Sequence, residues 1–249
     1  MKIKGLFHLH TKYSYDSELE PGRIKEILRE RGYNFGVICD HSKDLGEGRY
    51  ETLARECHNL REKDFVLIPG AEFEFDTVHI AGVGLSKFFR PTSIDDCVRT
   101  INELGRIAVW VHPSPRLLKH AGDWASSLNG AEVWSARYGT KYAPSVRLCR
   151  TVKKWREEQP RLRAYAGLDA HKEEEIKDLY LEMEVEELSE QRIMKSLAAG
   201  EFAMKFGFFS VPSAPALNLF QKLLFSSLGT GYKYAELLID RFLRPARLF

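Results

Sequence analysis

Six of the eight histidines, His8, His10, His41, His79, His112 and His171, follow or end short apolar runs, and several sit beside a carboxylate. No other feature of the chain constrains its fold as much. The apolar runs read as strands, so the imidazoles lie at strand ends, where one face of an α/β structure can gather them. Imidazole and carboxylate are the usual ligands of zinc, manganese and iron, and their recurrence points to a multinuclear metal site. His58 and His120 fall on helix-like stretches without a carboxylate partner and read as surface or outer-layer residues.

Amphipathic helical stretches separate the apolar runs. Strands are expected at 3–7, 35–39, 65–68, 107–111, 131–134, 164–168 and 179–185, with 71–83 a further strand or a hairpin turning near Asp76. Helices are expected at 22–31, opened by Pro21 and closed by Gly32, then at 50–61, 94–104 and 145–157, and from the Ser189 cap through 199. Repeated strand–helix units predict an α/β fold with a mostly parallel sheet, open or closed into a barrel. Composition changes after Ser210. Leu217, Phe220, Leu223, Leu224 and Leu228 recur at helical spacing, Gly229-Thr230-Gly231 interrupts them, and Leu237, Leu238, Phe242 and Leu243 follow. This predicts a C-terminal helical hairpin over 213–249, appended to a main domain over 1–212. Lys222, Lys233, Arg241, Arg244 and Arg247 outnumber Glu236 and Asp240 there. The hairpin's apolar face is expected to pack on the main domain or in a homo-oligomer, with peripheral membrane contact as the alternative.

The 249 residues suit one substantial core, and a net charge of +2 gives no general drive toward nucleic acid. Cys39, Cys57, Cys97 and Cys149 form no CxxC pair, which argues against a disulfide framework or thiolate zinc and fits a reducing cytosol. His8 follows Met1 too closely for a signal peptide, and no apolar stretch approaches the ~20 residues that span a bilayer. A cytoplasmic protein is expected.

His8 and His10 are alternate residues at a strand end, so both rings can reach one ion. Asp169 and His171 repeat that spacing after another apolar run. Asp40-His41 ends the second strand, with His41 read as a ligand and Asp40 as the carboxylate that orients it. Glu72 could bridge two ions with its two oxygens, and Glu74, on the same strand face, is its rival. His79, His112 and Asp16 complete a nine-residue set.

These residues, in order, resemble a known family. His-Leu-His-Thr-Lys-Tyr-Ser-Tyr-Asp (8–16), Ile-Cys-Asp-His (38–41), Gly-Ala-Glu (70–72), His-Ile-Ala-Gly (79–82), Val-His-Pro (111–113) and Gly-Leu-Asp-Ala-His (167–171) look like the successive motifs of the PHP (polymerase and histidinol phosphatase) superfamily. The resemblance covers residues 2–209. It implies a distorted (β/α)7 barrel and two or three divalent ions of zinc, manganese or iron. His8, His10, Glu72 and Asp169 would hold the first ion, Glu72, His79 and His112 the second, and Asp16, His41 and His171 the third. The amidohydrolase barrels also begin with HxH, but Asp16, Asp40-His41 and a histidine two places after the last aspartate match the PHP pattern better.

The activity so implied is hydrolysis of a phosphate ester by a hydroxide bridging two metals, with Glu72, Asp169 and His112 at the catalytic centre. The expected substrate is a phosphorylated small molecule or nucleotide. The alternatives are a nuclease acting on DNA or RNA ends and a non-catalytic metal-binding domain with a partner-binding tail. Arg116, Arg137, Tyr138 and Lys141 follow the fifth and sixth strands and are candidates for holding substrate, Arg137 first among them; each also fits a solvated surface position. Trp134 reads as core, with stacking on a base or sugar as the alternative.

Overall fold

Helix boundaries in the computed structural model, which describes residues 1–114, 118, 121–138 and 142–242, follow local side-chain chemistry. Helix α1 (Pro21–Glu30) opens on its proline, whose missing N–H costs nothing in a first turn. Helices α3 (Ile94–Glu103), α4 (Val146–Glu158) and α5 (Glu190–Ala199) each begin after a serine, Ser93, Ser145 and Ser189, whose side chain accepts a backbone N–H of the first turn. Gly200, at φ 76°, closes α5 in the left-handed conformation that a β-carbon disfavours. Helix α2 (Glu47–Asn59) lies between the strands at Asp40–His41 and Val66–Ile68.

The strands are β1 (Lys2–Leu9), β2 (Phe35–Ile38), β3 (Asp40–His41), β4 (Val66–Ile68), β5 (Gly70–Phe75), β6 (Val78–Val83), β7 (Ile107–Val111), β8 (Gly130–Ser135), β9 (Arg163–Gly167), β10 (Leu179–Glu184), β11 (Phe202–Phe206) and β12 (Phe209–Pro212). They form two six-stranded sheets, ordered β12-β11-β10-β1-β2-β4 and β3-β5-β6-β7-β8-β9. Among the described residues five pairings are parallel and five antiparallel, so the sheets are mixed rather than mostly parallel. The connections explain this. Asp76-Thr77 leaves no room for a crossover between β5 and β6, and Asp76 turns the chain at φ 52°. The β11–β12 hairpin, which the sequence pattern did not single out, likewise turns over Gly207 at φ 54°.

The second sheet meets the first at both of its ends, β9 beside β1 and β3 beside β2 and β4. Backbone hydrogen bonds run from Leu168 N–H to Phe7 O (3.0 Å), Ala170 N–H to His8 O (3.3 Å) and His10 N–H to Ala170 O (2.9 Å), linking the segment after β9 to β1. On the other side the chain passes from β2 into β3 and from β4 into β5 across single residues. The motif-bearing ends of β1, β3, β5, β7 and β9 therefore converge. Beneath them lies an apolar core that includes Phe7, Tyr165, Trp110 and Trp134. Trp134 is fully buried near Phe206, which makes it core and not a stacking platform.

The expected C-terminal hairpin is instead one helix, α6 (Leu219–Phe242), continuous through Gly229-Thr230-Gly231. Each glycine costs a helix about 1 kcal/mol against alanine, which is not enough to end it when no proline lies in the turns beside it. Leu217 and Phe225 are buried against the main domain, with the Phe225 ring edge-on to Phe209 at 5.4 Å.

Candidate metal centre

Glu72 lies at the middle of the converged strand ends and is 1% exposed. Strand β5 places it opposite His41 of β3 in parallel register. Its Oε1 is 2.8 Å from His79 Nδ1 and 2.9 Å from His112 Nε2. Its Oε2 is 3.5 Å from both His8 Nε2 and His10 Nε2 and 3.3 Å from His41 Nδ1. Burial alone would raise this carboxyl's pKa, but the contacts from His112, His41, His79 and His8 bring it well below the usual range, so Glu72 is ionised. Glu74 is drawn off by Lys43 at 2.9 Å and stays 3.6 Å from His41, leaving the central place to Glu72.

Among the described residues three groups have ligand-type atoms within 4.8 Å of one another: His8, His10, Glu72 and Asp169; Glu72, His79 and His112; and His10, His41 and His171. Asp16 adjoins the third, its oxygens 3.4 Å from His41 Nε2 and 3.3 Å from His171 Nε2. All nine residues singled out in the sequence are thus brought together. His58 is exposed on α2, away from them. Arg116, Lys141 and His120 lie outside the described residues.

Tautomers follow from the hydrogen bonds. His8 Nδ1 is 2.9 Å from Glu132 Oε1, to which it donates, and this turns Nε2 toward Glu72 and Asp169. Burial lowers the His8 pKa, but Glu132 and Asp169 outweigh it and hold this imidazole well above its usual value. His10 Nδ1 is 3.1 Å from Ser14 Oγ, which also accepts the His41 backbone N–H and spends its own proton on Asp40. His10 Nε2 therefore faces Asp169 Oδ1 at 3.1 Å, and burial pushes the His10 pKa down to about 3, keeping the ring neutral.

Two sequence expectations need correction. Asp40 does not orient the His41 ring: its oxygens accept Thr11 N–H and Thr11 Oγ–H, both at 2.6 Å, and Ser14 Oγ–H at 2.7 Å. It acts one bond further out, by fixing Ser14. His8 and His10 also do not converge through regular alternation. Strand β1 ends at Leu9, its register with β2 shifts between Leu6 and Leu9, and His8 takes φ 67°.

Strain collects on these residues. Among the described residues four non-glycine residues have positive φ, and three of them are His8, His112 (33°) and Asp169 (52°). Each such conformation costs roughly 1–3 kcal/mol and persists where the surroundings enforce it. Part of that enforcement comes from Glu132, which sequence reasoning missed. It is 1% exposed, and while Oε1 holds His8, Oε2 accepts the His112 N–H at 2.7 Å. The available signal was an acid inside the apolar run Gly-Ala-Glu-Val-Trp, where burial leaves a carboxylate no option but a partner.

The residues fit metal ions by their unsatisfied atoms. His8 Nε2, His10 Nε2, His41 Nδ1, Asp16 Oδ1 and Glu72 Oε2 are buried without a hydrogen-bond partner among the described residues. Buried polar atoms are ordinarily paired, and a set of lone pairs facing one another is what a divalent cation satisfies. Arg137 reaches the same place: its Nη1 is 2.6 Å from His171 Nδ1 and 3.1 Å from the Asp169 carbonyl, and its Nε is 3.7 Å from Asp169 Oδ2. The Tyr138 ring stands 4.7 Å from that of His112.

No protein-family model matches the chain, and no curated protein sequence matches it. Solved structures do. One is a two-domain protein from Bacteroides vulgatus ATCC 8482 containing a predicted PHP-like metal-dependent phosphoesterase (18% identity, 85% of this chain and 66% of that one, TM-score 0.62). Another is PsfC from Pseudomonas syringae PB-5123 (14% identity, 94% and 98%, TM-score 0.57). A third is Endonuclease Q in complex with a 27-mer duplex bearing an abasic lesion at the active site (14% identity, 79% and 56%, TM-score 0.56). The chain thus spans about two thirds of the first and little more than half of the third. At these identities the likeness is one of fold: this chain folds as PHP-like metal-dependent phosphoesterases do.

Proposed function

We propose that the chain is a metal-dependent phosphoesterase, with 1–212 as its catalytic unit and 213–249 as a helical extension. We read the joined strands as the distorted (β/α)7 barrel of the PHP superfamily. His8, His10, Glu72 and Asp169 would hold one ion, Glu72, His79 and His112 a second, and Asp16, His41 and His171 a third, with zinc, manganese or iron suited to these donors. Bound there, such ions supply Lewis-acid polarisation of a phosphoryl group and a water acidic enough to attack near neutral pH.

The chain's own residues set up that chemistry. Glu72, held ionised by its histidines, supplies the negative charge around which the donors gather. Glu132 and Ser14 hold His8 and His10 in the tautomers that turn Nε2 inward. Arg137, partly exposed beside Asp169 and His171, is placed to bind phosphoryl oxygens through its planar guanidinium. Tyr138 forms a wall against His112.

The observation that carries this reading is the facing set of unsatisfied buried nitrogens and oxygens. The test is phosphate release by manganese-loaded protein from mononucleotides, sugar phosphates, dinucleotides and histidinol phosphate, with Asp169→Ala as control. Release abolished by the control supports the proposal. Cleavage confined to DNA or RNA ends would make the protein a nuclease, and inactivity on every substrate with metal bound would make it a binding domain.

A further inference from the structure

Several surface cations, among them Lys12, Arg23, Arg29, Lys43, Arg99 and Arg192, face carboxylates. A group of four gathered on one cleft does not. Arg150, Lys153 and Lys154 of α4 and Lys222 of α6 line a cleft of about 260 Å³, with Glu157 the one acid along it. None of the four makes an ion pair among the described residues. Positions 150, 153, 154 and 157 share one helical face, where like charges three and four residues apart work against the helix that carries them. Glu157 offsets part of this repulsion, and an anionic partner would offset the rest.

Beside this cleft the protein exposes large apolar side chains. Leu219, Phe220 and Leu223 are 72%, 71% and 62% exposed, on the side of α6 away from the buried Phe225. Phe208, 88% exposed, tips the β11–β12 turn, which adjoins α6 through the packing of Phe209 on Phe225. Among the described residues the other exposed large hydrophobics are Met1 and three tyrosines, which carry a polar tip. No helix among the described residues is long and apolar enough to cross a membrane.

One partner matches both halves of this surface. A second copy docked about a twofold axis would set the cation cleft against its own image. A nucleic acid would neutralise the cations but leave the leucines and phenylalanines in water. An anionic bilayer surface takes both, with acyl chains for the apolar residues and headgroups for the lysines and arginine. We propose that the start of α6, the β11–β12 turn and the α4 cleft dock this protein on an anionic lipid surface, with Phe208, Leu219, Phe220 and Leu223 entering the interface.

The test is co-sedimentation of the full chain with vesicles of phosphatidylcholine alone or doped with phosphatidylserine. The wild type sediments with the doped vesicles only and is released by salt. Lys153→Glu/Lys154→Glu weakens binding by roughly fivefold or more per cation. Leu219→Ser/Phe220→Ser/Leu223→Ser makes the residual binding far more salt-sensitive. All these positions are exposed, and unchanged circular dichroism and metal content confirm that the variants fold. Absence of wild-type sedimentation, equal binding to neutral vesicles, or a dimer in ultracentrifugation that the serine variant dissolves would each overturn the proposal.

Discussion

Gly167→Ala tests whether the metal centre depends on Glu132. A β-carbon at position 167 would lie 1.8 Å from Glu132 Oε1, 2.6 Å from its Cδ and 3.2 Å from His8 Cβ. Gly167 does not have positive φ, so the clash is steric and not a backbone penalty. To reach ordinary contact the carboxylate must retreat by about 1.6 Å, which takes its bonds to His8 Nδ1 (2.9 Å) and His112 N (2.7 Å) out of range or off axis. Two buried donors are then unsatisfied, at roughly 1–3 kcal/mol each, or roughly 2–6 kcal/mol in all. At roughly 2–4 °C per kcal/mol for a domain of this size, calorimetry of the metal-free variant should show Tm lower by roughly 4–24 °C. Manganese affinity by isothermal titration should fall about 10–100-fold, the usual effect of losing a partner of a ligand. The decisive comparison is a double-mutant cycle with Glu132→Ala: if the alanine acts through Glu132, Gly167→Ala should cost little more once that carboxylate is gone. Additive penalties, or a Gly167→Ala protein with wild-type Tm and metal affinity, would refute the reasoning.

Asp169→Asn, which keeps the shape and removes the charge beside His8 and His10, should lower bound metal, measured by elemental analysis, and cut phosphate release by roughly 100-fold or more. The metal-free protein should lose stability in acid. His10 has its pKa pushed down to about 3, so as pH falls from about 6.5 toward 3 the unfolded chain takes a proton the native state refuses. The contribution is complete above about 6.5 and falls by up to about 1.4 kcal/mol per pH unit, readable as a shift in urea midpoint. His8, shifted the other way, keeps its full contribution below about 6.5 and loses it only as pH rises, so it does not oppose this trend. Gly229→Ala/Gly231→Ala should raise helicity by circular dichroism and stabilise α6 by about 1 kcal/mol per site, since neither added β-carbon meets an atom within 4 Å. Loss of helicity would restore the hairpin.

Which parts of this protein can be read from its sequence depends on how local each determinant is. Pro21, Ser93, Ser145 and Ser189 announce helix starts because a cap is satisfied within three residues. Most of the nine clustered histidines and acids are legible because they follow or end short apolar runs, singly or as alternate pairs. Parallel and antiparallel pairing was not legible, since it depends on which strands meet, although the Asp76-Thr77 turn contained the information for one hairpin. Gly229-Thr230-Gly231 misled because a glycine reports a local cost, whereas continuity of α6 reflects the whole helix. Asp40 was assigned to the wrong neighbour for a similar reason. Adjacency in sequence suggested His41, while the carboxylate reaches back to Thr11 and Ser14 on a different loop. Glu132 is the extreme case. Its partners, His8 and His112, lie 124 and 20 residues away, and the space it occupies exists only because residue 167 has no side chain. A determinant spread over four segments has no signature in any of them, yet it holds two of the strained residues in place. Substitutions at Gly167 and Glu132 should therefore affect metal binding as strongly as substitutions at residues the motifs make obvious.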